Sequence, residues 1–309
     1  MAVGLGMKRG AAADDPPRDL ATPGSHAIAG SPLANAMTVD VEDFFQVQAF
    51  ATVVERKDWE RYPSRIERNL DKVLELFDAY GVKATFFTLG WIAERHPRLI
   101  RRIVQEGHEL ASHGYAHHPV FEQSREAFRA DVRTTKKILE DIGQVPVKGY
   151  RAASFSIGAE TLWALDVLAE EGHAYSSSIY PIRHDHYGMP EAPRFAYRPR
   201  QDGFVEIPLT TVSAFGLNLP CSGGGYFRLF PYAMTRWALN RVNRQDGQSC
   251  VFYFHPWEID PGQPRLSRIP LKSRLRHYVN LTRMEARLRR LLGDFSWSRM
   301  DRVFIESGS

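Results

Sequence analysis

The stretch VKATFFTLGWIAERHPRLIRRIVQEGHELASHGYAHH, residues 82–118, decides the fold. Val82 to Leu89 is a β-branched and aromatic run and reads as a strand. His96 to Glu106 reads as a helix, which Gly107 ends. His108 to Ser112 is a short strand that runs into a pair of histidines. Strand, helix and strand in succession form the unit from which parallel sheets are built.

The alternation continues on both sides. Upstream, residues 62–80 carry Ile66, Leu70, Val73, Leu74 and Phe77 at helical spacing, with Gly81 as the stop. Before them, AMTVDVEDFF from Ala36 reads as a buried strand that runs into a loop of carboxylates. Downstream come a helix over 122–142 ended by Gly143, a strand over 147–150, and a helix over 158–171 followed by Gly172. Residues 181–231 are richer in Pro, Gly and aromatics, and suggest long loops shaping a cleft. VFYF, residues 251–254, is a late strand, with His255 directly after it. Residues 271–293 read as one basic amphipathic helix. The expected fold is α/β, with parallel strands and surrounding helices, and chemistry on loops at the C-terminal strand ends. Residues 1–34, rich in Ala, Gly, Pro and Asp, read as a disordered extension. Residues 35–300 form the expected catalytic domain.

Composition narrows the function. The 309 residues are 43% hydrophobic and 25% charged, enough for a sizeable core. The net charge of +4 is spread along the chain, which argues against nucleic acid as a partner. Cys221 and Cys250 show no metal-ligand spacing and imply no disulfide framework. No apolar run is long enough for a membrane span or a signal peptide, so a cytoplasmic protein is expected.

Four constellations follow predicted strands. Asp40, Glu42 and Asp43 crowd three carboxylates at one strand end, where their repulsion calls for a cation or a shared proton. Asp40 and Glu42 should share a face by strand alternation. The bland alternative is a polar loop of helix-capping acids. His113 and His117 are spaced to meet one ion from a single helical turn, although a lone pair of this kind is weak among 11 histidines. Carboxylate oxygen with two imidazoles suits zinc, and also cobalt, nickel, manganese or iron. GYRAASFS, residues 149–156, is a small-residue loop whose Arg151 is placed to pair with Asp40 and hold it ionised. His255, at the mouth of an apolar strand, suits a general acid. A surface arginine and a satisfied core histidine are the bland alternatives for these two.

Taken in order, these pieces resemble the polysaccharide deacetylase family, also called the NodB-homology family or carbohydrate esterase family 4. The resemblance spans roughly Asp40 to Glu258. TVDVEDFFQV, SHGYAHH, GYRAASFSI, SSSIYPIRHDHYGMP, GGGYFRLFPY and FYFHPWEID look most like the subgroup linked to exopolysaccharide and PEP-CTERM/exosortase loci. The resemblance implies a deformed (β/α) barrel and metal-dependent hydrolysis of N-acetyl groups on a polysaccharide or its lipid-linked precursor. It implies Asp40 as base, Arg151 as the residue orienting it, His255 as general acid, and His113 and His117 as metal ligands. The carboxylate ligand is Glu42 or Asp43. The expected cofactor is a divalent metal, zinc first, with cobalt, nickel or manganese as alternatives.

One departure stands out. Related sequences tend to carry an aspartate where Ser176 follows Tyr175, so Asp185 or another group is expected to tune His255. Tyr150, Ser154, Phe155, Tyr180, Tyr226 and Trp257, with Tyr187, Phe227 and Trp297, are candidate sugar contacts, against a core role for each. Gly223–Gly225 has no Lys-Ser/Thr after it and reads as a tight turn against the cleft rather than a phosphate loop. The basic helix is expected to pack on the barrel through Leu275, Leu281, Leu288, Leu291 and Leu292, rather than to lie on a membrane. An allantoinase-like, metal-independent amidohydrolase and a non-catalytic glycan-binding protein are the competing readings.

Overall fold

A computed structural model describes residues 33–184 and 187–306. The elements run β1 (Asn35–Val41), α1 (Ile66–Ala79), β2 (Thr85–Thr88), α2 (Gly90–Arg95), α3 (Pro97–Gln105), β3 (Glu109–Ser112), α4 (Arg125–Gly143), β4 (Gly149–Tyr150), α5 (Trp163–Glu170), β5 (Tyr175–Ser176) and β6 (Val205–Glu206). They continue with β7 (Thr211–Ala214), β8 (Leu217–Pro220), α6 (Gly224–Leu229), α7 (Tyr232–Arg241), β9 (Val251–Phe254), α8 (Leu271–Tyr278), α9 (Leu281–Asp294), β10 (Trp297–Ser298) and α10 (Met300–Phe304).

Strands β1 to β6 pair in chain order as a parallel sheet, and β9 and β10 both pair with β1, also in parallel. β7 and β8 form a separate antiparallel hairpin. Helices cover the sheet, giving the deformed (β/α) barrel. Burial on both faces explains why β1 and β2 read as continuous runs: every residue of both strands is buried. Ile66, Leu70, Val73, Leu74 and Phe77 of α1 are buried at the spacing seen in the sequence. Ser124 caps α4 by accepting the backbone N–H of Ala127.

Two helical expectations are corrected. The helix expected over 96–106 is preceded by a separate one, α2, and His96 takes a non-helical conformation (φ −126°) where the two meet at Pro97. The single basic helix over 271–293 is two helices. The chain extends at Val279 and turns left-handed at Asn280 (φ 51°). The break is enforced from elsewhere: the buried Arg228 guanidinium donates to the carbonyls of Arg276, His277 and Val279, satisfying the end of α8. Leu281, Leu288, Leu291 and Leu292 pack inward as expected, whereas Leu275 is exposed. The extension expected over 1–34 lies almost wholly outside the described residues. No described helix is long and apolar enough to cross a membrane.

Candidate active site

β1 brings Asp40 to the C-terminal end of the sheet, and Glu42 follows just past the strand. Both are buried. Arg151, fully buried directly after β4, donates from Nη1 to Asp40 Oδ1 at 2.6 Å and to Thr38 Oγ1 at 2.8 Å. Its Nε and Nη2 hydrogen-bond to the Ser177 carbonyl and hydroxyl, both at 3.1 Å, and its plane lies over the Phe87 ring at 4.1 Å. One Asp40 oxygen is thereby fixed, and the other, Oδ2, faces His255 Nε2 at 4.0 Å.

His113 and His117 do not share a helical turn, as the spacing suggested. They lie on an irregular loop after β3, with Gly114 at φ 73° and His117 at φ 52°. That left-handed path is held by external contacts. Arg56 donates to the carbonyls of Ala116 and His117 at 2.8 and 2.9 Å. A side chain at Gly114 would meet Asp131 Oδ2 at 2.9 Å, and that carboxylate accepts the Tyr115 N–H. His113 Nδ1 donates to the Arg151 carbonyl at 2.8 Å, which leaves its Nε2 lone pair free. His118, beside the pair, is exposed.

One ligand atom from each of Glu42, His113 and His117 lies within 4.8 Å of the other two, and all three residues are buried. Glu42 Oε2 is 3.2 Å from His117 Nε2 and has no hydrogen-bond partner among the described residues. A buried carboxylate oxygen without a partner, facing two neutral imidazoles, is a donor set that fits a divalent cation. Burial, helped by the charge of Asp40, pushes the Glu42 carboxyl up to about 7. Burial also lowers both His113 and His117, which keeps the rings neutral and able to donate lone pairs.

The two carboxylates left open by the sequence part company. Asp43 turns away: it accepts the Phe44 N–H at 2.8 Å, the Ser64 hydroxyl at 2.9 Å and the Arg65 N–H at 2.6 Å, at the entrance to α1. Only Glu42 joins the histidines.

His255 follows β9 and opens a 3₁₀ turn, Pro256–Ile259. Its Nε2 lies 3.1 Å from Glu42 Oε1. Burial alone would lower it, but Glu42, Glu258 and Asp40 outweigh burial and push it up to about 9. Sequence reasoning gave Glu258 and Arg228 no role. Glu258 Oε2 accepts the His255 backbone N–H at 2.9 Å and lies 3.2 Å from its Nδ1, while Arg228 Nε donates to Glu258 Oε1 at 2.8 Å. A carboxylate three residues after a histidine is a capping-box spacing that the sequence does display. Arg228 is distant in the chain and left no local signal. Asp185 lies outside the described residues. Ser176 hydrogen-bonds to Ser178.

Most of the expected sugar contacts are interior. Tyr150 packs on Phe128, Tyr180 is fully buried with its hydroxyl on the Ser222 carbonyl, and Trp297 donates to the Leu291 carbonyl. Phe155 packs among Tyr180, Tyr187 and Tyr253, Phe227 packs against Phe252, and Trp257 is stacked between His255 and His277. Ser154, Tyr187 and Tyr226 are partly exposed. Gly223 and Gly224 are not a free turn: they lead into α6 against the Glu258 carboxylate.

Comparison with known proteins bears on the fold and on part of the chain. The polysaccharide deacetylase family profile matches residues 59–172, and that of a domain of unknown function, DUF3473, matches residues 177–305. A peptidoglycan-N-acetylglucosamine deacetylase of Bacillus cereus is 37% identical over 68 residues, covering 22% of this chain and 25% of that one. A chitooligosaccharide deacetylase of Rhizobium leguminosarum bv. trifolii is 31% identical over 139 residues, covering 45% of this chain and 58% of that one. The matches thus span about a quarter of the first relative and under two thirds of the second. A crystal structure from Mycobacterium smegmatis, solved as a candidate polysaccharide deacetylase, superposes with a TM-score of 0.61 at 20% identity, covering 93% of both chains, and so shares the fold. Residues 59–172 are thus a polysaccharide deacetylase domain.

Proposed function

We propose that this protein hydrolyses N-acetyl groups on a polysaccharide or its lipid-linked precursor, releasing acetate and a free sugar amine. The observation that carries the reading is the buried Glu42–His113–His117 group with its unpartnered oxygen, set beside an Asp40 locked by Arg151 and a His255 held high. Glu42, His113 and His117 would hold a divalent cation, zinc first. When bound, it supplies Lewis-acid polarisation of the amide carbonyl and lowers the pKa of water.

The chain's own groups do the proton work. Arg151 occupies one Asp40 oxygen and orients the other toward the site, so Asp40 accepts the proton of the attacking water. His255, protonated at neutral pH, delivers a proton from Nε2 to the departing nitrogen as the C–N bond breaks. The buried Asp40 and the partly buried His255 stand close enough to act on one substrate, with Asp40 Oδ2 4.0 Å from His255 Nε2. A place in exopolysaccharide biosynthesis, and cytoplasmic action on a precursor, complete the reading.

The test is acetate release from N-acetylglucosamine oligomers, before and after chelation, with zinc or cobalt restored. Release that chelation abolishes and metal restores is the expected result. Release untouched by complete metal removal would overturn the metal-dependent reading. No release from any N-acetylated glycan by metal-loaded protein would overturn the deacetylase itself.

A further inference from the structure

We propose that Glu258 and Arg228 are positioning residues for His255, and that through them helices α8 and α9 hold the proton donor in place. The inference rests on the deacetylase reading, in which His255 protonates the leaving amine.

Glu258 is buried and divides its two oxygens between two tasks. Oε2 takes the backbone N–H of His255 at 2.9 Å and faces its Nδ1 at 3.2 Å. The two contacts tie the ring to its own backbone through one carboxylate oxygen, so they fix its rotation and direct the Nδ1–H to Glu258. Nε2 is thereby left aimed at Glu42 and Asp40. Oε1 takes Arg228 Nε at 2.8 Å. The carboxylate that the family resemblance led one to expect at Ser176 is supplied instead three residues after the histidine.

Arg228, equally buried, spends its remaining donors on the end of α8: Nη1 on the carbonyls of His277 and Val279 at 2.8 and 2.7 Å, and Nη2 on that of Arg276 at 3.2 Å. In return α9 sends Arg287 back to the carbonyls of Phe227, Arg228 and Phe230, which close α6. A second path runs through rings. His255, Trp257 and His277 stack with centroids 5.2 and 4.0 Å apart and planes 18° and 12° apart. His277 is itself fixed by Gln263 at 2.7 Å. α8 therefore meets the proton donor twice, through the ion pair and through the stack.

Two of the three consecutive glycines follow from the same arrangement. A Cβ at Gly224 would lie 1.8 Å from Glu258 Oε2, and one at Gly223, where φ is 100°, would lie 2.4 Å from the Tyr253 ring. Only glycine lets α6 start close enough for Arg228 to reach Glu258. An arginine that merely ended α8 would need the carbonyls alone. The contact with Glu258 joins that cap to the site.

Glu258→Gln keeps size and burial but offers one acceptor oxygen where two are used, so it cannot serve His255 and Arg228 together. The measurement is kcat and KM for deacetylation of N-acetylglucosamine oligomers, the zinc content per chain, and hydrolysis of 4-nitrophenyl acetate, whose leaving group needs no proton. The expected result is a kcat for the amide lowered about 10–100-fold, with KM and zinc content unchanged and the activated ester unaffected. Glu258→Asp should recover part of the loss, and Arg228→Lys should fall between wild type and Glu258→Gln. Equal losses on amide and ester, or a lowered melting temperature with unchanged kcat, would assign the pair to stability alone and overturn the proposal. Wild-type protein that releases no acetate from any N-acetylated glycan would instead sink the deacetylase reading beneath it.

Discussion

Replacing Arg151 with methionine tests the centre of the site. Methionine fills similar space but removes four hydrogen bonds, to Asp40, Thr38 and both polar groups of Ser177. The larger loss is electrostatic, because the buried Asp40 would lose the guanidinium paired with it and keep only His255, 4.0 Å away. Breaking one side of a buried pair costs about 3–5 kcal/mol. For a domain of this size that corresponds to a melting temperature lower by about 6–20 °C. Asp40→Asn in the same chain removes the stranded charge, so the double variant should regain about 1–3 kcal/mol over Arg151→Met alone. Both single variants should be inactive in acetate release, so stability and activity separate only in the double variant, which stays inactive while recovering. Urea unfolding of chelated protein, followed by tryptophan fluorescence, reads the cycle. A loss below about 1 kcal/mol for Arg151→Met, or a double variant no more stable than that single one, would refute the pairing as what holds Asp40.

Three further outcomes follow from the geometry. Glu42→Gln and His117→Ala should each lower zinc per chain measured by mass spectrometry. Asp43→Asn should leave zinc in place and cost about 0.5–2 kcal/mol of stability by weakening the entrance to α1; zinc lost from Asp43→Asn would put the ligand at the wrong residue. Burial pushes the Glu206 carboxyl up to about 7 from an ordinary 4.5, against the opposing N–H groups of Ser178 and Ile179. The native state therefore holds that proton more tightly than the unfolded chain, and the stability it contributes, at most about 3 kcal/mol, is full below 4.5 and lost as pH rises through about 7. Glu206→Gln should flatten the fall in melting temperature over that window, and an unchanged slope would exclude Glu206 as a source. Phe215, at the tip of the β7–β8 hairpin, is left-handed (φ 55°) and almost wholly exposed. Phe215→Asn should stabilise by about 1 kcal/mol, and no gain on thermal melting would mean the tip is held by contacts that asparagine loses.

The parts of this molecule that were legible in the sequence are those written in local spacing. The helical period of Ile66, Leu70, Val73, Leu74 and Phe77, the apolar runs of β1, β2 and β9, and the stops at Gly81, Gly107 and Gly172 produced the elements expected of them, whereas Gly143 lies inside α4 and Gln144 turns left-handed in its place. Asp40, Arg151 and His255 likewise stand at strand ends, those of β1, β4 and β9. What was not legible depends on partners distant in the chain. Asp43 and Glu42 look equivalent until Ser64 and Arg65 claim one of them. The His113–His117 spacing suggests a helical turn because Arg56, which bends the loop otherwise, lies upstream of α1. The break between α8 and α9 is imposed by Arg228, from a segment that read only as loop. The aromatic residues misled for a different reason: in a barrel this short of strand residues, Tyr150, Tyr180 and Trp257 are needed to fill the interior.

The pairing of β1 has a consequence for how the protein is made. The strand carrying Asp40 is nearly the first described segment to leave the ribosome, yet its partners include Val251–Phe254 and Trp297–Ser298. Loop closure over such separations adds little to the equilibrium cost, since it grows only logarithmically, but it delays the event. Until those partners are synthesised, a strand that ends fully buried waits with one edge open, a state that invites chaperones or misassociation. The residue that begins the chemistry is thus translated early and becomes competent late, and a chain stalled before Trp297 would carry both histidines without a finished strand to face them.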